Sequence, residues 1–113
     1  MLSAGSTVSI AAANIAGKFA GQPRVEVAIR DAIGNTYLEI GVADKAVEQL
    51  EIAVRLAQAA LGDEYADTLK CLSHLARAYK YQGRFAEAEP LMVKVFEVAK
   101  RVNGPEHAST LTY

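Results

Sequence analysis

Tryptophan is absent from this 113-residue sequence, cysteine occurs once, proline three times, and aromatic residues make up 7 %. A lone cysteine excludes an intramolecular disulfide, so nothing points to an oxidising compartment. Half the chain is hydrophobic, mostly small aliphatic residues and alanine, which favours closely packed helices over a β-sandwich. A net charge of −1 and a pI near 6.1 provide no general attraction to nucleic acid or to an anionic membrane, and neither is expected as a partner. No apolar run is long enough to span a bilayer. The glycines stand singly, which excludes a glycine-rich phosphate loop. Two histidines and one cysteine without ligand-like spacing leave no metal site, and no cofactor is expected. The apolar stretch VSIAAANIAGKFA has no basic segment before it and is interrupted by Ser9 and Asn14. It therefore argues against a secretory signal and for a cytoplasmic protein.

What the sequence does have is small aliphatic residues and a repeat. YLEIGVADKAVEQLEIAVRLA, from Tyr37 to Ala57, returns 42 positions later as YKYQGRFAEAEPLMVKVFEVA, from Tyr79 to Ala99. Tyr37 and Tyr79, Gly41 and Gly83, Ala46 and Ala88, and Ala57 and Ala99 keep that spacing, as do Gly62 with Gly104 and Glu64 with Glu106. A fixed period of a few tens of residues is the mark of a helical repeat array. One helical hairpin cannot bury both its faces, so each unit needs a neighbour.

The period divides the chain. Residues 1–6 read as a flexible lead-in, and 7–19 as the second helix of a preceding unit, because Val8, Ala11 and Ile15 lie 42 before Leu50, Ala53 and Ala57. Residues 24–65 form a first unit and 66–107 a second. Residues 108–113 open a third, where HASTLTY matches the earlier YADTLKC. Ala20 to Pro23 is expected to be a loop. Helices are expected over about Arg24 to Ile40, Asp44 to Leu61, Ala66 to Gln82 and Phe85 to Val102. Val25, Ile29, Ile33 and Tyr37 are the expected buried stripe of the first of these. Gly41 and Gly83 end helices, since glycine takes the left-handed conformation at little cost. Pro90 removes a backbone donor near the start of the last helix and should bend it. Glu51 with Arg55, and Glu97 with Lys100 or Arg101, are spaced to pair along a helix.

Antiparallel helices approach closely where the facing residues are small. Gly34 and Ala76 are expected to face Ala46 and Ala88, while Tyr37 and Tyr79 fill the wider gap between neighbouring hairpins. The run Leu75-Ala76, Tyr79, Gly83, Phe85, Ala88, Met92, Val95 resembles the tetratricopeptide repeat. LGDEYADTLKCLSHLARAYKYQGRFAEAEPLMVKVF, from Leu61 to Phe96, is similar to the 42-residue kinesin-light-chain type, roughly LGPDHPDTLxxLxxLAxxYxxQGRYxEAEPLYxxAL. The first unit departs from that pattern, with Arg30 where the second has Leu72 and Val42-Ala43 where it has Arg84-Phe85. The resemblance implies an all-α, right-handed superhelix of antiparallel helix hairpins, about five helices with a C-terminal stub. FAGQPRVEVAIRDAIGNTYLEIG is similar to segments that open such arrays in bacterial multidomain proteins, including Ser/Thr kinases, although no kinase motif is present.

The resemblance also implies a non-catalytic scaffold that holds a protein or peptide on the concave face of its first helices. Carried over residue by residue, the groove positions are Asp31, Asn35 and Leu38, then Lys70, Ser73, His74, Arg77 and Lys80 with Tyr81 beside them. The second set is basic and lies on one helical face, suited to an acidic or C-terminal peptide, with Asn35 bonding peptide backbone. Solvent alone is the alternative for such a charged face. Cys71 and His74 are close enough on one helix to touch, but no orienting carboxylate stands near them in sequence, so a packing cysteine is expected rather than a nucleophile. Leu91, Val95, Phe96 and Val98 would be left uncovered at the end of the second unit, which points to self-association, as in a homodimer, as an alternative role. An RNA-binding helical repeat is disfavoured by the period of 42 and the acidic pI.

Overall fold

The computed structural model describes residues 4–15 and 21–103. Five helices follow one another: α1 (Ala4–Ile15), α2 (Pro23–Glu39), α3 (Ala43–Ala60), α4 (Ala66–Tyr81) and α5 (Phe85–Asn103). Among the described residues there is no strand. The chain packs in sequence order, each helix against the next, with α2 also touching α4. The α2–α3 and α4–α5 hairpins are thus two consecutive units, with the A helices α2 and α4 side by side.

Two turns are built alike. Gly41 and Gly83 have φ of 82° and 78°, and in each case the following amide, Val42 or Arg84, reaches back 2.8 Å to the carbonyl of Tyr37 or Tyr79. That is the left-handed helix stop expected from a glycine after a run of helix formers. Pro23 opens α2 instead of lying in the preceding loop. Its missing amide is one that a helix start leaves unpaired, and its fixed φ suits the first turn. Ala4 to Ser6 belong to α1 and not to a lead-in. The expected end of that helix at residues 16–19, the exit at Gly104-Pro105 and the third-unit opening at 108–113 lie outside the described residues.

The core runs between the layers and is made of small and aliphatic side chains. Ala46, Leu50, Ala53 and Ala57 of α3 and Ala76 and Ala78 of α4 are fully buried. The stripe of α2 differs from expectation at its start. Val25 is 40 % exposed and Val27 is buried in its place, together with Ile33, Tyr37 and Leu38. Nine residues at about 100° each put Val25 on the side of α2 opposite Gly34, the buried position that faces Leu50. Gly34 faces Leu50: a β-carbon there would stand 2.5 Å from Leu50 Cγ, so it is Leu50 that requires the glycine. On α5, Val95 and Val98 are buried, Leu91 is half-buried, and Phe96 is exposed together with Phe85, Val93 and Val102. The helix continues through Pro90.

Hydrogen bonds between units repeat with the sequence. The Tyr37 hydroxyl lies 2.7 Å from Ser9 Oγ on α1, and the Tyr79 hydroxyl donates across 2.7 Å to Glu51 on α3. Ser9 and Glu51 are 42 apart, as are the tyrosines. Glu51 therefore serves the next unit, not the Arg55 pair expected of it. Arg101 likewise donates to Glu64 at 2.9 Å instead of pairing with Glu97 along its own helix.

Candidate partner-binding site

α4 exposes one edge, and that edge carries most of the expected groove residues. Lys70, Ser73, His74, Arg77 and Lys80 line a single open hollow of about 500 Å³, closed on the other side by Met92 of α5. They come together because positions 70, 73 or 74, 77 and 80 recur every three or four residues along α4. Ala66 and Asp67 complete its lining, and Asp67 is the one acid among these residues. Asp67 is itself 3.6 Å from the Arg24 guanidinium, which leaves the hollow positive. Leu38 and Tyr81 line a second hollow of about 310 Å³ near the α2–α3 turn, with Glu39, Gly41 and Ala43.

Asp31 and Asn35 do a different job from the one expected. Asp31 is buried and lies 2.8 Å from His74 Nδ1. Asn35 Oδ1 accepts from the Arg77 guanidinium, while its Nδ2 donates to Glu39 at 3.3 Å. The pair holds two basic side chains of α4 in place, and the Asn35 amide expected to bond a peptide backbone is already engaged at both ends. Spacing along one helix gives no sign of this, because it depends on how far α2 and α4 stand apart. Met92 is not among the expected groove residues, all of which lie on α2 and α4. The available signal was its place 42 after Leu50, the residue that packs against Gly34.

Cys71 is buried, and its thiol is pushed up to about 12, first by burial and then by the Asp31 charge and a hydrogen bond to that carboxylate. At neutral pH it is an uncharged thiol, and the ring nitrogen of His74 nearest α2 is turned to Asp31. A thiolate nucleophile is thus disfavoured by the surroundings of Cys71 itself. Among the described residues no three His, Cys, Asp or Glu side chains cluster to hold a metal ion, and no helix is long and apolar enough to cross a membrane.

The tetratricopeptide repeat family model matches residues 68–109. No curated protein matches the sequence. Among solved structures, the chain is similar to BtubC (BKLC) from P. vanneervenii, with a TM-score of 0.75 and 23 % identity over 80 % of this chain. The chain spans about a third of that protein's length, 36 %. The likeness is one of fold, a succession of helices each packed against the next. Residues 68–109 thus match the tetratricopeptide repeat family, and the chain shares its helical fold with that solved structure.

Proposed function

We propose that this chain is a non-catalytic interaction module that holds an acidic segment of a protein partner against the exposed edge of α4. The observation that carries the reading is the convergence of Lys70, His74, Arg77 and Lys80 on one open hollow with an apolar wall at Met92. Tetratricopeptide repeats mediate protein–protein interaction in general, which supports the class of function. Guanidinium and ammonium groups bind carboxylates through charge-assisted hydrogen bonds, about twice as strong as neutral ones. The single cysteine supports a reducing, cytoplasmic setting, and the sequence from Phe19 to Gly41 supports origin in a larger bacterial multidomain protein.

The test is affinity capture from source-cell lysate with the chain and its Arg77→Glu/Lys80→Glu variant. Circular dichroism would first confirm that the variant keeps its helices. A partner retained by the wild type and lost by the variant is the expected result. Identical retention by both would overturn the reading and favour self-association instead, for which the exposed Phe85, Phe96 and Val102 of α5 are the supporting observation.

A further inference from the structure

The two glycine turns carry opposite charge. Residues 37–44 hold Glu39 and Asp44 and no base, whereas their counterparts, residues 79–86, hold Lys80 and Arg84 and no acid. The bases of the second turn are committed elsewhere. Arg84 pairs with Glu87 and lies over the Tyr79 ring, and Lys80 lines the hollow shared with Met92. In the first turn Asp44 accepts from Gln82 at 2.7 Å. Glu39 meets only a neutral group, the Asn35 amide, at 3.3 Å, and α2 has no base in its last turn to answer its C-terminal carbonyls. A carboxylate and the negative end of a helix thus lie together at the hollow of about 310 Å³ bounded by Leu38, Glu39, Gly41, Ala43 and Tyr81.

That hollow lies between two units that are both described, and the repeat shows that it stays open. Tyr81 is 66 % exposed with the unit before it in place. Glu39, the same position one unit earlier, is exposed with the unit after it in place. A neighbour on either side therefore leaves this position uncovered. Gly41 adds no side chain to the rim, and a β-carbon there would meet nothing within 4 Å.

We infer that this hollow is a binding site for an arginine side chain of a protein partner, with the methylene stem on Leu38 and Ala43 and the guanidinium stacked on the Tyr81 ring and paired with Glu39. Each wall answers one part of that side chain. Arginine lays its aliphatic stem along apolar surface and keeps its charged head in water. Its planar guanidinium is the cation most often found over an aromatic face. The carboxylate accepts its forked N–H donors, and the end of α2 adds a favourable field. An acidic side chain would be repelled by Glu39, and an apolar one would leave it unanswered. The site is distinct from the basic edge of α4 and goes beyond the reading built on that edge: a partner that uses both carries an acidic stretch and an arginine.

The probe is the acetylated and amidated tripeptide Gly-Arg-Gly, titrated into the full chain and followed by amide chemical shifts. The same peptide with citrulline, the neutral isostere of arginine, is the comparison. The arginine peptide is expected to give saturable shifts at Leu38–Ala43 and at Tyr81 that weaken with added salt, while the citrulline peptide does not saturate. Glu39→Gln and Tyr81→Ala should each weaken binding at least about fivefold, whereas Tyr81→Phe keeps the ring and the affinity. Equal shifts from the two peptides, shifts centred on another acid such as Glu48 or Glu64, binding unchanged in Glu39→Gln, or no saturation up to about 20 mM would each overturn the inference. A carboxylate-rich peptide should still reach the α4 edge in the Glu39→Gln chain. If that peptide binds there and the arginine peptide fails, the arginine site is wrong and the interaction-module reading stands.

Discussion

The two hairpins solve one packing problem in different ways. In the first, Arg30 is buried between α2 and α3, donating at 2.7 Å to Glu26 and at 2.8 Å to Gln49. In the second, the same three positions are Leu72, Thr68 and Leu91, and Thr68 Oγ1 is buried without a hydrogen-bond partner. Gly34 against Leu50 in the first becomes Ala76 and Met92 in the second. The first hairpin is thus tied by polar groups and a tight glycine contact, and it is covered on both sides. The second is apolar inside and more tolerant in shape. A repeat scaffold fixes where a helix goes, while the identity of the side chains at each interface decides how it is held there.

Exchanging the two solutions would sharpen this comparison most. Arg30→Leu alone should destabilise the chain by about 3 kcal/mol, because it leaves the Glu26 carboxylate buried without its partner. Glu26→Thr, Arg30→Leu and Gln49→Leu together copy the second hairpin and should return stability to within about 1 kcal/mol of wild type. Urea unfolding of the two variants checks this, and equal losses would mean that Arg30 is not held by the network. Gly34→Ala comes next. Overpacking against Leu50 Cγ should cost about 1–3 kcal/mol, partly offset by the better helix propensity of alanine. Leu50→Met in the same chain reproduces the second hairpin's pair and should recover most of the loss, since methionine fills irregular space more readily.

The smallest effect concerns the inter-unit tyrosine. Tyr79→Phe removes the bond to Glu51 and should cost about 1 kcal/mol. Burial, and then the bond to Glu51, raise the Tyr79 hydroxyl from its ordinary value to about 12. The folded chain therefore favours the neutral hydroxyl. Its contribution is complete below about pH 10 and is lost as pH rises through 12. Cys71 acts in the same direction, being raised to about 12. Unfolding free energies should fall between pH 9 and pH 12, less steeply in Tyr79→Phe, and a flat profile would contradict the account.

Much of this architecture was legible in the sequence, for physical reasons. Gly41 and Gly83 announce their turns because few other residues tolerate φ near 80°. The α4 edge assembles as expected because Lys70, Ser73, Arg77 and Lys80 share one helical face, a local property of spacing. The roles of Asp31, Asn35 and Glu51 were not legible, because their partners lie on other helices and depend on interhelical distance. Val25 misled for a third reason: hydrophobic spacing of four drifts round the helix, and Val25 stands on the side opposite Gly34. The Gly34–Leu50 contact also depends on the packed depth of α3, which no pattern within α2 encodes.

The most direct test of the account is an amide chemical-shift titration of the full chain with a carboxylate-rich peptide such as an oligoglutamate. The account predicts saturable shifts concentrated on the α4 edge from Lys70 to Lys80 and on α5 around Met92, lost in the Arg77→Glu/Lys80→Glu variant. Shifts centred on Leu38 and Tyr81, or spread without a focus, would contradict it.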